Sequence, residues 1–174
     1  MIRYVFSNIK PLPKDKKILS TLKAAIPEVT GKFKGKGIRE NFDIWIGTER
    51  SWLKAHKPTS IAHASEDDRL SDWQGNYLSR RGKIGVVSLR RKYLVSILKL
   101  DKEKISDLLC HELIHFAIDE DGHGKEFRTM AKSIGLKGDI ARATNYLSRT
   151  EMRILVKDHV CPRCKGTGQI PHKE

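Results

Sequence analysis

Leu108-Leu109-Cys110-His111-Glu112-Leu113-Ile114-His115-Phe116 is the stretch on which the reading of this chain turns. Two histidines four residues apart on a helix lie one above the other, so both imidazoles can reach a single metal ion. Glu112 is rotated by about 100° around the helix axis from His111. That takes it out of the shared pair of bonds and towards a water in the ion's open fourth position, where a general base belongs. From Leu108 to Ile118 the neighbours are apolar apart from these His and Glu side chains. A buried helix is therefore expected over 101–118, with Ile105, Leu109, Leu113 and Phe116 on one face. Burying two imidazoles and a carboxylate without partners is costly, and a metal offsets that cost. A plain surface helix whose histidines pair with acids leaves the place of Glu112 beside an apolar face unexplained.

A catalytic zinc takes three protein ligands and keeps one position open, so the third ligand is sought downstream, among Asp119, Glu120, Asp121, His123 and Glu126. His123 is preferred, because Gly122 and Gly124 let the backbone turn sharply and return the side chain to the helix it has left. Imidazole also suits zinc, whereas the acids read as solvent-facing residues at a helix end. Asp119 or Asp121 is then available to orient a histidine. The next helix is expected from 125 to 134, stopped by Gly135, with Phe127 packing behind the site.

Upstream, Ile2–Phe6 reads as a short strand. Ile18, Leu19, Leu22 and Ile26 give helical spacing over 14–26, with Pro27 at its end. Residues 31–37 read as a Gly/Lys-rich loop. Phe42, Ile44 and Ile46 alternate with more polar positions as in a half-buried strand closed by Gly47. The polar stretch 54–74 is expected to be a long surface loop bordering the cleft. Lys83–Leu89 is the clearest strand, and 90–100 leans towards helix. A short helix is expected near 139–146, and a strand or helix near 152–156. The fold class that follows is α+β: a small mixed or antiparallel sheet packed on the HExxH helix, with helices before and after. Residues 1–157 form one domain, and 158–174 a short Cys-containing tail.

The hydrophobic fraction of 39% and charged fraction of 32% fit an ordinary globular domain. No apolar run approaches the roughly 20 residues that span a bilayer, and the first residues do not read as a secretory signal. With three cysteines, two of them in one CxxC, a disulfide framework is disfavoured and the expected compartment is the cytoplasm. Cys110 reads as a small buried residue. The formal net charge of +13 points to a polyanionic partner. Basic residues cluster at Lys14, Lys16 and Lys17; at Lys32, Lys34, Lys36 and Arg39; at Arg80, Arg81 and Lys83; and at Arg90, Arg91 and Lys92. Phe33, Tyr77 and Tyr93 lie beside them as candidates to stack on unpaired bases.

His111-Glu112-Leu113-Ile114-His115, followed by Gly122-His123-Gly124 with Glu126-Phe127 and preceded by Gly85-Val86-Val87-Ser88-Leu89, resembles the SprT-like metalloprotease family, which includes Spartan. The likeness is close over about residues 83–130. It is distinct from the metzincin pattern, whose Gly and third His would fall where Ile118 and Asp121 stand. The resemblance implies a compact zincin-like domain, a catalytic Zn2+ on His111, His115 and His123, and Glu112 as the catalytic residue. It also implies cleavage of proteins bound or crosslinked to DNA, which makes protein substrates and single-stranded or junction-containing DNA the expected partners, with no membrane. The tail departs from the zinc ribbon common in that family. Cys161-Pro-Arg-Cys164-Lys-Gly166-Thr-Gly168 is one CxxCxGxG half-site, so Cys161 and Cys164 are candidate ligands of a second, structural zinc completed by His159 and His172 or by another chain.

Two other readings compete. A metal-dependent endoribonuclease can draw three histidines from a similar helix and turn, but with HxxxHxxxxxH spacing and usually no Glu after the first His. A nucleic-acid-binding protein with a structural zinc would fill the fourth coordination position with protein. Tyr146 and His63 are candidate partners for the oxyanion.

Overall fold

The computed structural model describes residues 2–7, 13–36, 41–56, 60–65, 85–118, 122–136, 150, 151 and 154. In chain order these form β1 (Arg3–Phe6), α1 (Pro13–Lys32), β2 (Asp43–Gly47), α2 (Glu49–Ala55), β3 (Ala62–Ser65) and β4 (Val86–Arg90). A π-helical turn (Tyr93–Ile97), α3 (Lys102–Ile114) and α4 (Lys125–Ser133) follow. The four strands make one sheet in the order β1-β2-β4-β3. β1, β2 and β4 run parallel, and β3 is antiparallel to β4, with Ala62 opposite Leu89 and Ser65 opposite Val86. The class is α+β with a mixed sheet, as expected.

The main core lies on one face of this sheet. Ile44, Ile46, Val87, Leu89 and Ala62 meet Ile18, Leu22, Ala25 and Val29 of α1, and Ile105, Leu108, Leu109 and Leu113 of α3. Side chains alternate along a strand, so Trp45 and Val86 point the other way, where they pack with Trp52 of α2 in a second, smaller cluster. Both faces of β2 are thus covered and all five of its residues are buried. The expectation of a half-exposed strand there fails because α2, which the sequence reading passed over, closes the second face.

Two ion pairs lock the sheet. The guanidinium of Arg3 donates to the buried Asp43 carboxylate from Nε at 3.1 Å and Nη2 at 2.6 Å, across the β1–β2 register. Arg90, wholly buried at the end of β4, donates from Nε and Nη2 to the two carboxylate oxygens of Glu49 at 3.0 and 2.7 Å. That bidentate pair fixes the start of α2, whose first turn is capped by Thr48 accepting from the Ser51 N–H.

Several boundaries depart from expectation. α1 continues through Pro27 to Lys32. The missing N–H and the ring clash cost roughly 3 kcal/mol, and burial of Val29 and Phe33 on the far side opposes that cost. The stretch 54–74 is not one loop: the end of α2 and all of β3 lie inside it. Residues 90–100 contain the π-helical turn, closed by the Leu98 N–H donating to the Tyr93 carbonyl. Lys99 and Leu100 then adopt φ of 56° and 57°, an unusual pair of left-handed non-glycine residues. The chain swings there into α3, where Asp101 caps the helix by accepting from the Lys104 N–H.

The basic clusters are redistributed as well. Arg90 is in the core, and Arg91 donates from Nε to the buried Asp15 at 2.7 Å. Phe33 and Tyr93 are core residues, so neither offers a face for base stacking. Lys14, Lys16, Lys17, Lys23 and Lys34 remain exposed. Arg39, Tyr77, Arg80, Arg81, Lys83, Tyr146, Cys161 and Cys164, the helix near 139–146, most of the 152–156 element and the tail lie outside the described residues. No helix among those described is long and apolar enough to cross a membrane.

Candidate metal centre

α3 is buried almost all round, since Ile105, Ser106 and every residue from Leu108 to Ile114 are inside. The helix is flanked by α1 and the sheet, and its last turn carries the functional groups. His111 and Glu112 lie on α3 and His115 is its C-cap. The chain then turns through Phe116 and Ala117, whose N–H groups donate to the carbonyls of Leu113 and Ile114. Gly122 has a φ of 88° and Gly124 is the N-cap of α4, so His123 stands between a left-handed turn and a helix start. This sharp return is what the Gly-His-Gly triplet was expected to provide.

The three histidines converge. Their ring centroids are 5.4 Å apart for His111–His115, 4.7 Å for His111–His123 and 5.1 Å for His115–His123. One nitrogen from each lies within 4.8 Å of the others, and this is the one such cluster of three or more ligating side chains among the described residues. Phe127 of α4, fully buried, touches all three rings at centroid distances of 4.8, 4.9 and 4.5 Å and forms a common floor.

These residues fit a metal ion. The Nε2 atoms of His111 and His123 face each other at 2.8 Å. Two imidazole nitrogens bound to one tetrahedral zinc at 2.0–2.1 Å stand about 3.3 Å apart, so a small side-chain adjustment suffices. Two of the three imidazoles, His115 and His123, are biased towards the neutral form that ligation requires. Burial, with His123 and His63 nearby, pushes His115 down to about 4. Burial and the charge of Arg128 lower His123.

Glu112 is 2% exposed. Burial pushes its carboxyl up to about 8, opposed by a hydrogen bond from the backbone N–H of Ala64. β3 therefore reaches the carboxyl through its main chain, a link that sequence reasoning missed because Ala62-His63-Ala64-Ser65 lacks the β-branched signature of a strand. His63, named from the sequence as a candidate oxyanion partner, lies on β3 with its charge felt at His115. Glu126 is exposed on α4 and outside the cluster; Asp119, Glu120 and Asp121 lie outside the described residues. Cys110 is buried and its thiol is pushed up to about 12 by burial, which makes it inert as a nucleophile.

Residues 49–150, more than half of the chain, match the SprT-like family. Comparison with curated proteins and with solved structures finds no match for the chain.

Proposed function

Because the chain belongs to the SprT-like family, and so carries a metallopeptidase-like domain, we propose that it is a zinc-dependent endopeptidase with a zincin-like fold, acting on proteins bound or crosslinked to DNA. The observation that carries the reading is the meeting of His111, His115 and His123 beside a buried glutamate that follows the first of them. Zinc bound there supplies Lewis acidity, lowering the pKa of a water to about 7 and polarising a carbonyl. His111, His115 and His123 would hold the ion through neutral imidazoles, with Phe127 packed against their rings. Glu112 takes the proton from the attacking water and delivers it to the leaving amine. Burial raises its pKa; a divalent cation bound beside it would lower it and keep the carboxylate available as the base at neutral pH. Ala64 N–H holds that carboxylate in place.

DNA association rests on the charge of +13 and on the lysines left exposed along and just beyond α1. A second zinc on Cys161 and Cys164 remains part of the proposal for the tail. The test is zinc content and protein cleavage for wild type and Glu112→Gln, each with and without single-stranded DNA. Zinc is expected in both proteins, with cleavage lowered by about 10²–10⁴-fold in the variant and stimulated by DNA in the wild type. Zinc retained without cleavage in either, together with tight DNA binding, turns the reading to a binding protein with a structural metal.

A further inference from the structure

A second pair of histidines lies on the opposite face of the sheet. His56 ends α2 as its C-cap, and His63 sits in β3 opposite Ser88 of β4. Ala62 of β3 points into the main core, so by strand alternation His63 turns to the side that carries Trp45 and Trp52. The His56 and His63 rings are 5.3 Å apart at 61°, edge to face. The His111–His115 pair at the metal centre has nearly the same relation, 5.4 Å and 65°. His56 is wedged against Trp52 at a centroid distance of 4.2 Å and against Trp45 at 5.9 Å. Its Nε2 is buried and has no hydrogen-bond partner among the described residues, a costly state for a ring nitrogen unless something else binds it. His63 is exposed and opens the pair to solvent.

We propose that His56 and His63 form a second divalent transition-metal site, taking zinc, nickel or copper through two imidazoles with water in the remaining positions. Imidazole pairs suit these ions and reject magnesium and calcium, which demand oxygen ligands. Two ligands bind more weakly than three, so this site fills after the centre on α3. Burial and the neighbouring His63 push His56 down to about 4, which keeps its nitrogen free of a competing proton over the neutral range. The inference needs only the His56–His63 geometry and stands whether or not the chain cleaves proteins.

The tryptophans supply the readout, because a paramagnetic ion at His56 lies against Trp52 and quenches its fluorescence. Nickel(II) chloride is titrated into the zinc-loaded full chain carrying Trp73→Phe, so that the signal comes from Trp45 and Trp52. Saturable quenching is expected, unchanged in Cys161→Ser/Cys164→Ser and in His123→Ala. Losing even an outer partner costs a metal site about 10- to 100-fold in affinity, so His63→Ala should move the midpoint by at least about tenfold. His63→Phe, which keeps the ring's bulk but cannot ligate, should do the same with an unaltered circular dichroism spectrum. Absence of quenching in the parent, its persistence in both His63 variants, or its loss in His123→Ala overturns the assignment.

Discussion

Glu112 is the residue whose environment is most at odds with its chemistry. A carboxyl raised to about 8 by burial stabilises the fold below its ordinary value near 4.5. That contribution is lost as pH rises through about 8, when the folded state must hold a buried charge. The metal-free protein should therefore lose thermal stability between pH 5 and 9, roughly the span from the ordinary to the raised value. Metal-free Glu112→Gln should lose much less over the same span. Scanning calorimetry of both metal-free proteins checks this, and parallel profiles would contradict it. The depressed His115 acts in the other direction: its contribution is present above its ordinary value of 6.5 and lost as pH falls through about 4, equally in both proteins. At this scale the sequence was largely legible. The placement of His111, Glu112 and His115 at the end of one helix was readable from their spacing, and the return of His123 towards them from its flanking glycines. Ala64 was not, because its part is played by a backbone N–H that any residue could supply.

At the scale of elements, α3 was readable from its period and α4 from its stop at Gly135. α2 and β3 were not: one is seven residues long and the other is four residues of Ala, His and Ser. Both owe their form to partners distant in sequence, β3 to its ladder with β4 and α2 to the Arg90–Glu49 pair. Removing one side of that pair should be expensive. Glu49→Ala removes the carboxylate that the buried Arg90 guanidinium holds through two hydrogen bonds, and urea unfolding should show a loss of about 3–5 kcal/mol. A second junction is Gly85, ahead of β4. A Cβ there would stand 2.6 Å from both the Phe116 ring and the Ser65 carbonyl oxygen, at a φ of 155°. Gly85→Ala should cost about 1–3 kcal/mol by overpacking. Because it presses on the turn that follows His115, it should also weaken zinc retention, which dialysis against a chelator would reveal. Unfolding and zinc loss both at wild-type levels would refute the close approach.

For the whole molecule, charge was legible in amount but not in placement. Hydropathy patterning cannot tell an arginine that faces water from one that closes an internal ion pair, so Arg90 and Arg91 looked like surface charge in the sequence. The exposed lysines of α1 are the better candidates for meeting nucleic acid. Lys16→Ala/Lys17→Ala/Lys23→Ala should weaken single-stranded DNA binding and flatten its salt dependence by about 0.7 for each phosphate no longer neutralised, with stability nearly unchanged. An unaltered slope in fluorescence anisotropy titrations would move the binding surface elsewhere. The link between Ala64 and Glu112 carries one more consequence. Sliding β3 by a single residue would present a different backbone group to the carboxyl while leaving His111, His115 and His123 untouched. The acidity of the proposed base is thereby a report on strand alignment, and an intact motif would not by itself ensure the proposed chemistry if one short strand were out of step.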